Sequence, residues 1–149
     1  MDITTKQLTA ADTGLFTGLL QLFEEVFEMK GLIIPNEDYL KKLLQREDFI
    51  VFVAAYENVI VGGLTAHILP SYYSASSEIY IYDIAVKTNY QRQGIGEKLI
   101  LALTEYCSKN GYQSFFVQAD EKDAHALDFY HSTGGIAKNA VHFNYWVGE

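Results

Sequence analysis

The chain has 149 residues, 49% hydrophobic and 20% charged, enough to bury a core in one domain and too apolar for a disordered segment. Its formal net charge of -8 and pI near 4.9 argue against nucleic acid and anionic membrane as partners, because both would be repelled. A lone cysteine, Cys107, excludes an intrachain disulfide, Met1–Thr5 lacks a signal core, and no apolar run approaches the ~18–20 residues of a membrane span. The expectation is a cytoplasmic protein, one domain over residues 1–149.

Ile3–Leu8 reads as the first strand. Thr9 can cap a helix whose Leu15, Leu19, Leu20, Leu22 and Phe23 share one face. Pro35-Asn36-Glu37-Asp38 opens a short helix ending near Leu44, with Asn36 as its cap and acids in its first turn. Phe49–Tyr56 and Val59–Leu69 read as a hairpin about Glu57-Asn58. Gly62-Gly63 within it predicts a bulge or a close backbone approach. A polar, tyrosine-bearing loop over Ser71–Ser77 leads to a strand over Glu78–Val86, completing an antiparallel meander.

Ile95, Leu99, Ile100, Leu103 and Cys107 form the apolar stripe of the next helix, which Asn110-Gly111 ends. Ser114–Ala119 is an apolar strand. Asp123 can cap a helix containing Ala126, Leu127, Phe129 and Tyr130, stopped by Gly134-Gly135, and Val141–Val147 reads as the last strand. Strand, glycine loop, helix, strand is a βαβ crossover, so its two strands run parallel. The order β-α-α-β-β-β-α-β-α-β gives an α/β fold with a mixed sheet and helices on both faces.

Gln91-Arg92-Gln93-Gly94-Ile95-Gly96 is the most informative stretch. A glycine-spaced turn between strand and helix gathers unpaired backbone N–H groups at the helix's positive end, a seat for pyrophosphate. A Walker loop would need Gly-Lys-Ser/Thr, but Glu97-Lys98-Leu99 follows Gly96. A dinucleotide fingerprint would need a third glycine, which is missing although Asp120 lies in the window for its acid.

What remains, Gln/Arg-x-x-Gly-x-Gly, resembles the acyl-CoA loop of the GNAT superfamily of N-acetyltransferases. The element order is that family's order. Ala126-Leu127-Asp128-Phe129-Tyr130-His131-Ser132-Thr133-Gly134 is similar to its later Ala-x-x-Phe-Tyr-x-x-x-Gly pattern. More narrowly, Ser77–Val86, Phe116–Asp120, Val141-His142-Phe143, Asp38-Tyr39-Leu40 and Leu43-Leu44 resemble the aminoglycoside 3-N-acetyltransferases of the AAC(3)-I group.

The resemblance implies direct transfer of acetyl from acetyl-CoA to an amine, without an acyl-enzyme. Gln91, Arg92, Gln93, Gly94, Ile95 and Gly96 would hold the pyrophosphate, with Lys98 one turn on. The backbones of Ile84, Ala85 and Val86 would pair with the pantetheine arm. Asp83 is the first choice of base: alternation puts it on one side of the strand with Ile79 and Ile81 unless a bulge intervenes, and apolar neighbours would raise its pKa. The other reading of Asp83 is an anchor for the cationic substrate. Many relatives carry a glutamate three positions earlier, where this chain has Tyr80, which leaves a water relay from Glu78 or Tyr80 open. Tyr130 would hydrogen-bond the departing thiolate, the alternative being core packing.

Glu78, Tyr80, Asp120, Asp123 and His142 are the candidates for holding a polycationic acceptor, with Asp123 equally suited to capping alone. The acidity fits such a partner, and fits solubility as well. His67, His125, His131 and His142 lack metal-ligand spacing, so no metal is expected. Cys107 lies on the apolar stripe and reads as core. Family members often dimerise, with no interface identifiable in this chain. The leading expectation is acetylation of the 3-amino group of an aminoglycoside, an antibiotic-resistance chemistry. The alternatives are acetylation of a polyamine, amino sugar or protein N-terminus, and a non-catalytic CoA-binding sensor.

Overall fold

The computed structural model describes residues 1–148, which divide into two compact units, Met1–Gln118 and Ala119 onward. The first unit contains β1 (Ile3–Gln7), α1 (Thr13–Val26), α2 (Glu37–Gln45), β2 (Phe49–Tyr56), β3 (Val59–Pro70), β4 (Ser77–Val86), a single 3-10 turn at Thr88–Tyr90, α3 (Ile95–Asn110) and β5 (Phe115–Val117). The strands lie in sequence order, β1-β2-β3-β4-β5. The first three pairings are antiparallel and β4–β5 is parallel. The crossover through α3 therefore forms as the glycine loop predicts.

Two adjacent glycines of β3 show how the sheet is covered on both faces. A Cβ on Gly62 would press on Ile95 and Leu99 of α3, whereas one on Gly63 would collide with Leu19 of α1 and come 2.9 Å from the Phe52 carbonyl. Successive strand residues point to opposite faces, so α3 covers one face and α1 the other. The α1 side is filled by Phe16, Leu19, Leu22, Phe23, Leu40 of α2, and Val51 and Val53 of β2. On α3, Ile95, Leu99, Ile100, Leu103 and Cys107 are all buried, and burial pushes the Cys107 thiol's pKa up. The stripe read from the sequence is the stripe that packs. The glycine pair supplies the close approach, and the bulge beside it falls at Val61, since Ala54 pairs with Gly62 while Ala55 pairs with Ile60.

Helix ends follow local chemistry. Asn36 Oδ1 accepts the Tyr39 N–H at 2.9 Å, and Gly111 ends α3 with φ +77°. The start of α1 departs from expectation. Thr9 does not cap it: the Thr9 N–H donates to Asp12 Oδ2 at 2.8 Å and Lys6 Nζ sits 2.9 Å from Asp12 Oδ1. These bonds hold residues 9–12 as a turn, so the helix begins at Thr13.

The second unit contains α4 (Ala124–Ser132), capped by Asp123 Oδ1 accepting the Ala126 N–H at 3.1 Å. It ends at Gly134 (φ +97°) and Gly135, whose N–H donates to the Tyr130 carbonyl at 2.9 Å. Residues 134–148 carry neither helix nor strand, so the strand expected over Val141–Val147 is not among the described elements. Its alternation is present in the sequence, but alternation alone does not supply a pairing partner. Among the described residues, no helix is long and apolar enough to cross a membrane.

Candidate active site

The chemistry converges on β4. In its ladder with β3, Thr65 pairs with Asp83 but Ala66 pairs with Ile81, leaving Tyr82 as an extra residue. This is a β-bulge, and a bulge resets which residues share a face. Ile79 and Ile81 pair with Ile68 and Ala66 on the α3 side, the side of Gly62. Asp83 pairs with Thr65 on the α1 side, the side of Gly63 and Ala85. The expectation that Asp83 shares a face with the two isoleucines is thus overturned. It lies instead on the face of Glu78 and Tyr80.

That face carries a run of rings. Tyr80 stacks on Phe116 at 4.8 Å and 13°, Tyr82 meets the edges of Tyr80 at 6.1 Å and His67 at 5.7 Å, and His67 lies 5.1 Å from Phe49. The Tyr80 hydroxyl donates to Gln118 Oε1 at 2.9 Å. Asp83 is half-buried at the end of this surface, and burial alone raises its carboxyl pKa. Among the described residues nothing pairs with its carboxylate. An unpaired carboxylate with a raised pKa, beside rings that favour cations, can accept a proton or hold an ammonium. Tyr82, His67, Phe49, Phe116 and Gln118 were given no binding or catalytic role from the sequence. Tyr80 and Tyr82 at period two were the available signal.

A second feature follows from register. β5 pairs with β4 only at Ile79, Tyr80 and Ile81. Beyond Ile81 that edge of β4 has no β5 ladder, so the stretch Ile84–Val86 lies past the last parallel pair, where an extended, amide-bearing ligand could align. Gln91 Nε2 donates to the Val86 carbonyl at 3.0 Å and so ties the following loop to the strand end.

The loop has the form of an anion nest. Arg92 (φ +63°) and Gly94 (φ +82°) alternate left-handed conformations into the start of α3, and no side chain caps that helix. Arg92, Gln93 and Gly94 are exposed, Ile95 and Gly96 are buried, and a Cβ on Gly94 would meet nothing within 4 Å. Among the described residues no side chain caps the first N–H groups of α3, which leaves them available to an anion, the condition for gripping a pyrophosphate. The residues present fit such a group. The exposed cations Arg92 and Lys98 lie beside this nest.

The remaining candidates are described within the second unit. Tyr130 is half-buried on α4, its ring 5.3 Å from Phe129. Asp120 Oδ1 accepts the Lys122 N–H at 2.9 Å and Asp123 caps α4, so both carboxylates have local structural work. His142 Nε2 lies 3.0 Å from Asn144 Oδ1. Among the described residues no group of three or more His, Cys, Asp or Glu is arranged to hold a metal ion.

Fold and site together define an α/β acyltransferase: a mixed sheet whose parallel pair parts beside an anion-binding loop. The model of the acetyltransferase (GNAT) family matches residues 16–134, and the chain belongs to that family. A crystal structure of the aminoglycoside acetyltransferase meta-AAC0020, from an uncultured soil metagenomic sample and in complex with sisomicin, is 48% identical. The alignment covers 98% of this chain and 97% of that one, with a TM-score of 0.95. A second soil metagenomic aminoglycoside acetyltransferase, HMB0005, is 33% identical over 99% of this chain and 100% of that one, also at TM-score 0.95. AAC(6')-Iy in complex with the bisubstrate analogue CoA-S-monomethyl-acetylneamine shares the fold at TM-score 0.81 and 17% identity, over 99% and 100% of the two chains. None of the curated proteins matches the chain. The GNAT family is thus established, and the narrower 3-N subgroup is not.

Proposed function

We propose that the chain transfers the acetyl group of acetyl-CoA to an amine of an aminoglycoside, with the 3-amino group of a 2-deoxystreptamine ring as the acceptor. The observation that carries this reading is the β4 bulge at Tyr82. It turns Asp83 onto the ring-lined face beside a strand edge freed from β5. The sisomicin complex of a 48% identical relative supports an aminoglycoside acceptor. The 3-position rests on the resemblance of Ser77–Val86 and Val141-His142-Phe143 to the 3-N group. The family match runs through both compact units, which supports one catalytic domain.

When bound, acetyl-CoA supplies the activated acetyl group. The backbone N–H groups of Gln93–Gly96 hold its pyrophosphate, and Ile84–Val86 align its pantetheine arm along the free strand edge. The N–H near Ile84 polarises the thioester carbonyl. Asp83, ionised, takes the proton from the acceptor ammonium and exposes the nitrogen lone pair. Tyr130 hydrogen-bonds the leaving sulfur. Glu78 and Tyr80 share the Asp83 face, with i and i+2 about 7 Å apart along the strand, and hold further ammonium or hydroxyl groups of the acceptor, with Asp120, Asp123 and His142 as the other candidates for that role.

The test is thiol release with acetyl-CoA and gentamicin, run beside spermidine, with the product's acetylated position read by NMR. Turnover with gentamicin and acetylation at the 3-amino group supports the proposal. Turnover with spermidine alone replaces the acceptor, and tight CoA binding without turnover replaces the enzyme with a sensor. Acetylation at another position retains the acceptor class and removes the 3-N assignment.

A further inference from the structure

Tyr80 is fixed by three contacts, all within the first unit. It pairs with Phe116 across the parallel β4–β5 ladder and stacks on that ring at 4.8 Å and 13°. Tyr82 meets it edge-on at 6.1 Å. The Tyr80 hydroxyl donates to Gln118 Oε1 at 2.9 Å. Gln118 follows Val117, the last residue of β5, and stands two positions from Phe116, the spacing that puts two side chains on one side of an extended backbone. One short strand thus supplies both the ring that packs Tyr80 and the oxygen that accepts from its hydroxyl. A phenol has one O–H to donate and lone pairs to accept with. With the O–H committed to Gln118, the Tyr80 oxygen can only accept from a further partner.

We infer that Gln118 is a positioning residue: by accepting the Tyr80 O–H, it makes the Tyr80 oxygen a fixed hydrogen-bond acceptor for an ammonium of the substrate. The inference rests on the proposed reading of the β4 face as the amine site. An ammonium only donates, so a hydroxyl held in this sense matches it, whereas one free to turn its own O–H outward does not. Asp83 lies on the same face, roughly 10 Å along the strand at ~3.3 Å per residue, and one multi-ring amine can reach both. The same bond decides between the two roles left open for Tyr80. To relay a proton from the amine, the phenol would have to pass its own to Gln118 Oε1. A glutamine amide is not among the side chains that titrate in water, so it cannot keep that proton. Tyr80 therefore holds the acceptor, and proton removal falls to Asp83.

Calorimetric binding of gentamicin to the parent, Gln118→Met, Tyr80→Phe and the double variant, with thiol-release kinetics beside it, tests this. Gln118→Met keeps the side chain's length and removes the accepting oxygen. Its Kd and KM for gentamicin should rise about three- to tenfold, the worth of one hydrogen bond, with kcat and CoA affinity close to the parent's. Tyr80→Phe should weaken binding at least as much. Adding Gln118→Met to it should cost less than about twofold more, because the two residues act as one unit. Gln118→Glu keeps an accepting oxygen and should restore binding only while the Tyr80 hydroxyl is present. Fully additive losses, or a folded Gln118→Met chain that binds gentamicin as tightly as the parent, overturn the inference. So does a loss carried by kcat with KM spared, which would make Tyr80 a relay. Failure of the wider reading looks different: gentamicin binds without turnover, and the binding cycle still decides the role of Gln118. A parent that binds no gentamicin overturns both. Gln118→Ala takes the place of Gln118→Met in the cycle if the latter does not fold.

Discussion

Replacing Asp83 by asparagine separates the two roles open to its carboxylate, because shape is kept while charge and basicity are removed. The fold should tolerate the change. The carboxylate has no ion-pair or hydrogen-bond partner among the described residues, so asparagine orphans nothing. The sign of the stability effect follows from burial, which raises the carboxyl pKa above its ordinary value. A carboxyl that binds its proton more tightly when folded loses stability as pH rises from the unfolded pKa through the folded one. Asp83→Asn should therefore match the parent in Tm below that window and exceed it above. Activity should move the other way. Positioned proton transfer contributes about 10²- to 10⁴-fold in rate, so kcat at pH 7 should fall by that factor. The deficit should shrink at alkaline pH, where the acceptor amine arrives already deprotonated. Thiol-release rates across pH, paired with thermal melts, read both effects. A loss of the same size at every pH, with KM for the acceptor raised and kcat spared, would refute proton transfer and leave Asp83 as an anchor.

Tyr130→Phe should lower kcat by roughly ten- to a hundredfold, from the ~1.5–3 kcal/mol of a hydrogen bond to a charged atom, with CoA affinity by calorimetry nearly unchanged; equal losses in both would make Tyr130 a packing residue. Gly94→Ala adds a Cβ in open space, so its cost is the left-handed backbone at φ +82°, about 1–2 kcal/mol, read as a lower Tm together with weaker CoA binding. A variant as stable as the parent would show that the loop rearranges cheaply. In Gly63→Ala the new methyl meets Leu19 and stands 2.9 Å from the Phe52 carbonyl; overpacking of ~1–3 kcal/mol at about 2–4 °C per kcal/mol should lower Tm by roughly 2–12 °C in calorimetry. An unchanged Tm would mean that α1 and the sheet part without cost.

Much of this was readable from the residues because local rules suffice for it. Asn36 and Asp123 cap their helices by bonds to N–H groups three residues on. The α3 stripe packs because its spacing matches the helical turn. The loop's positive φ values fall at Arg92 and Gly94, the latter in the glycine pair that marked it. What escaped depends on partners that the residue pattern does not name. Thr9 looks like a cap until Lys6 and Asp12 are seen holding the turn beyond it. The bulge at Tyr82 has no glycine to announce it and exists only as a mismatch between β3 and β4. Val141–Val147 has a strand's pattern, but pairing requires an edge that the pattern does not name.

The bulge also bears on how an acidic chain can hold an anionic carrier. A net charge of -8 acts over the molecule as a diffuse field, screened beyond about 8–10 Å at ordinary ionic strength. The uncapped N–H groups at the start of α3 would act on a bound pyrophosphate within hydrogen-bond reach, where that field is a small correction. A polycationic acceptor, as proposed, would gain from the same diffuse charge in its approach. Without Tyr82 as the extra residue, alternation would turn Asp83 toward α3, onto the side of Ile79 and Ile81. With it, Asp83 shares the ring-lined face with Glu78 and Tyr80, so on the proposed reading the strand edge would serve the carrier and this face the amine.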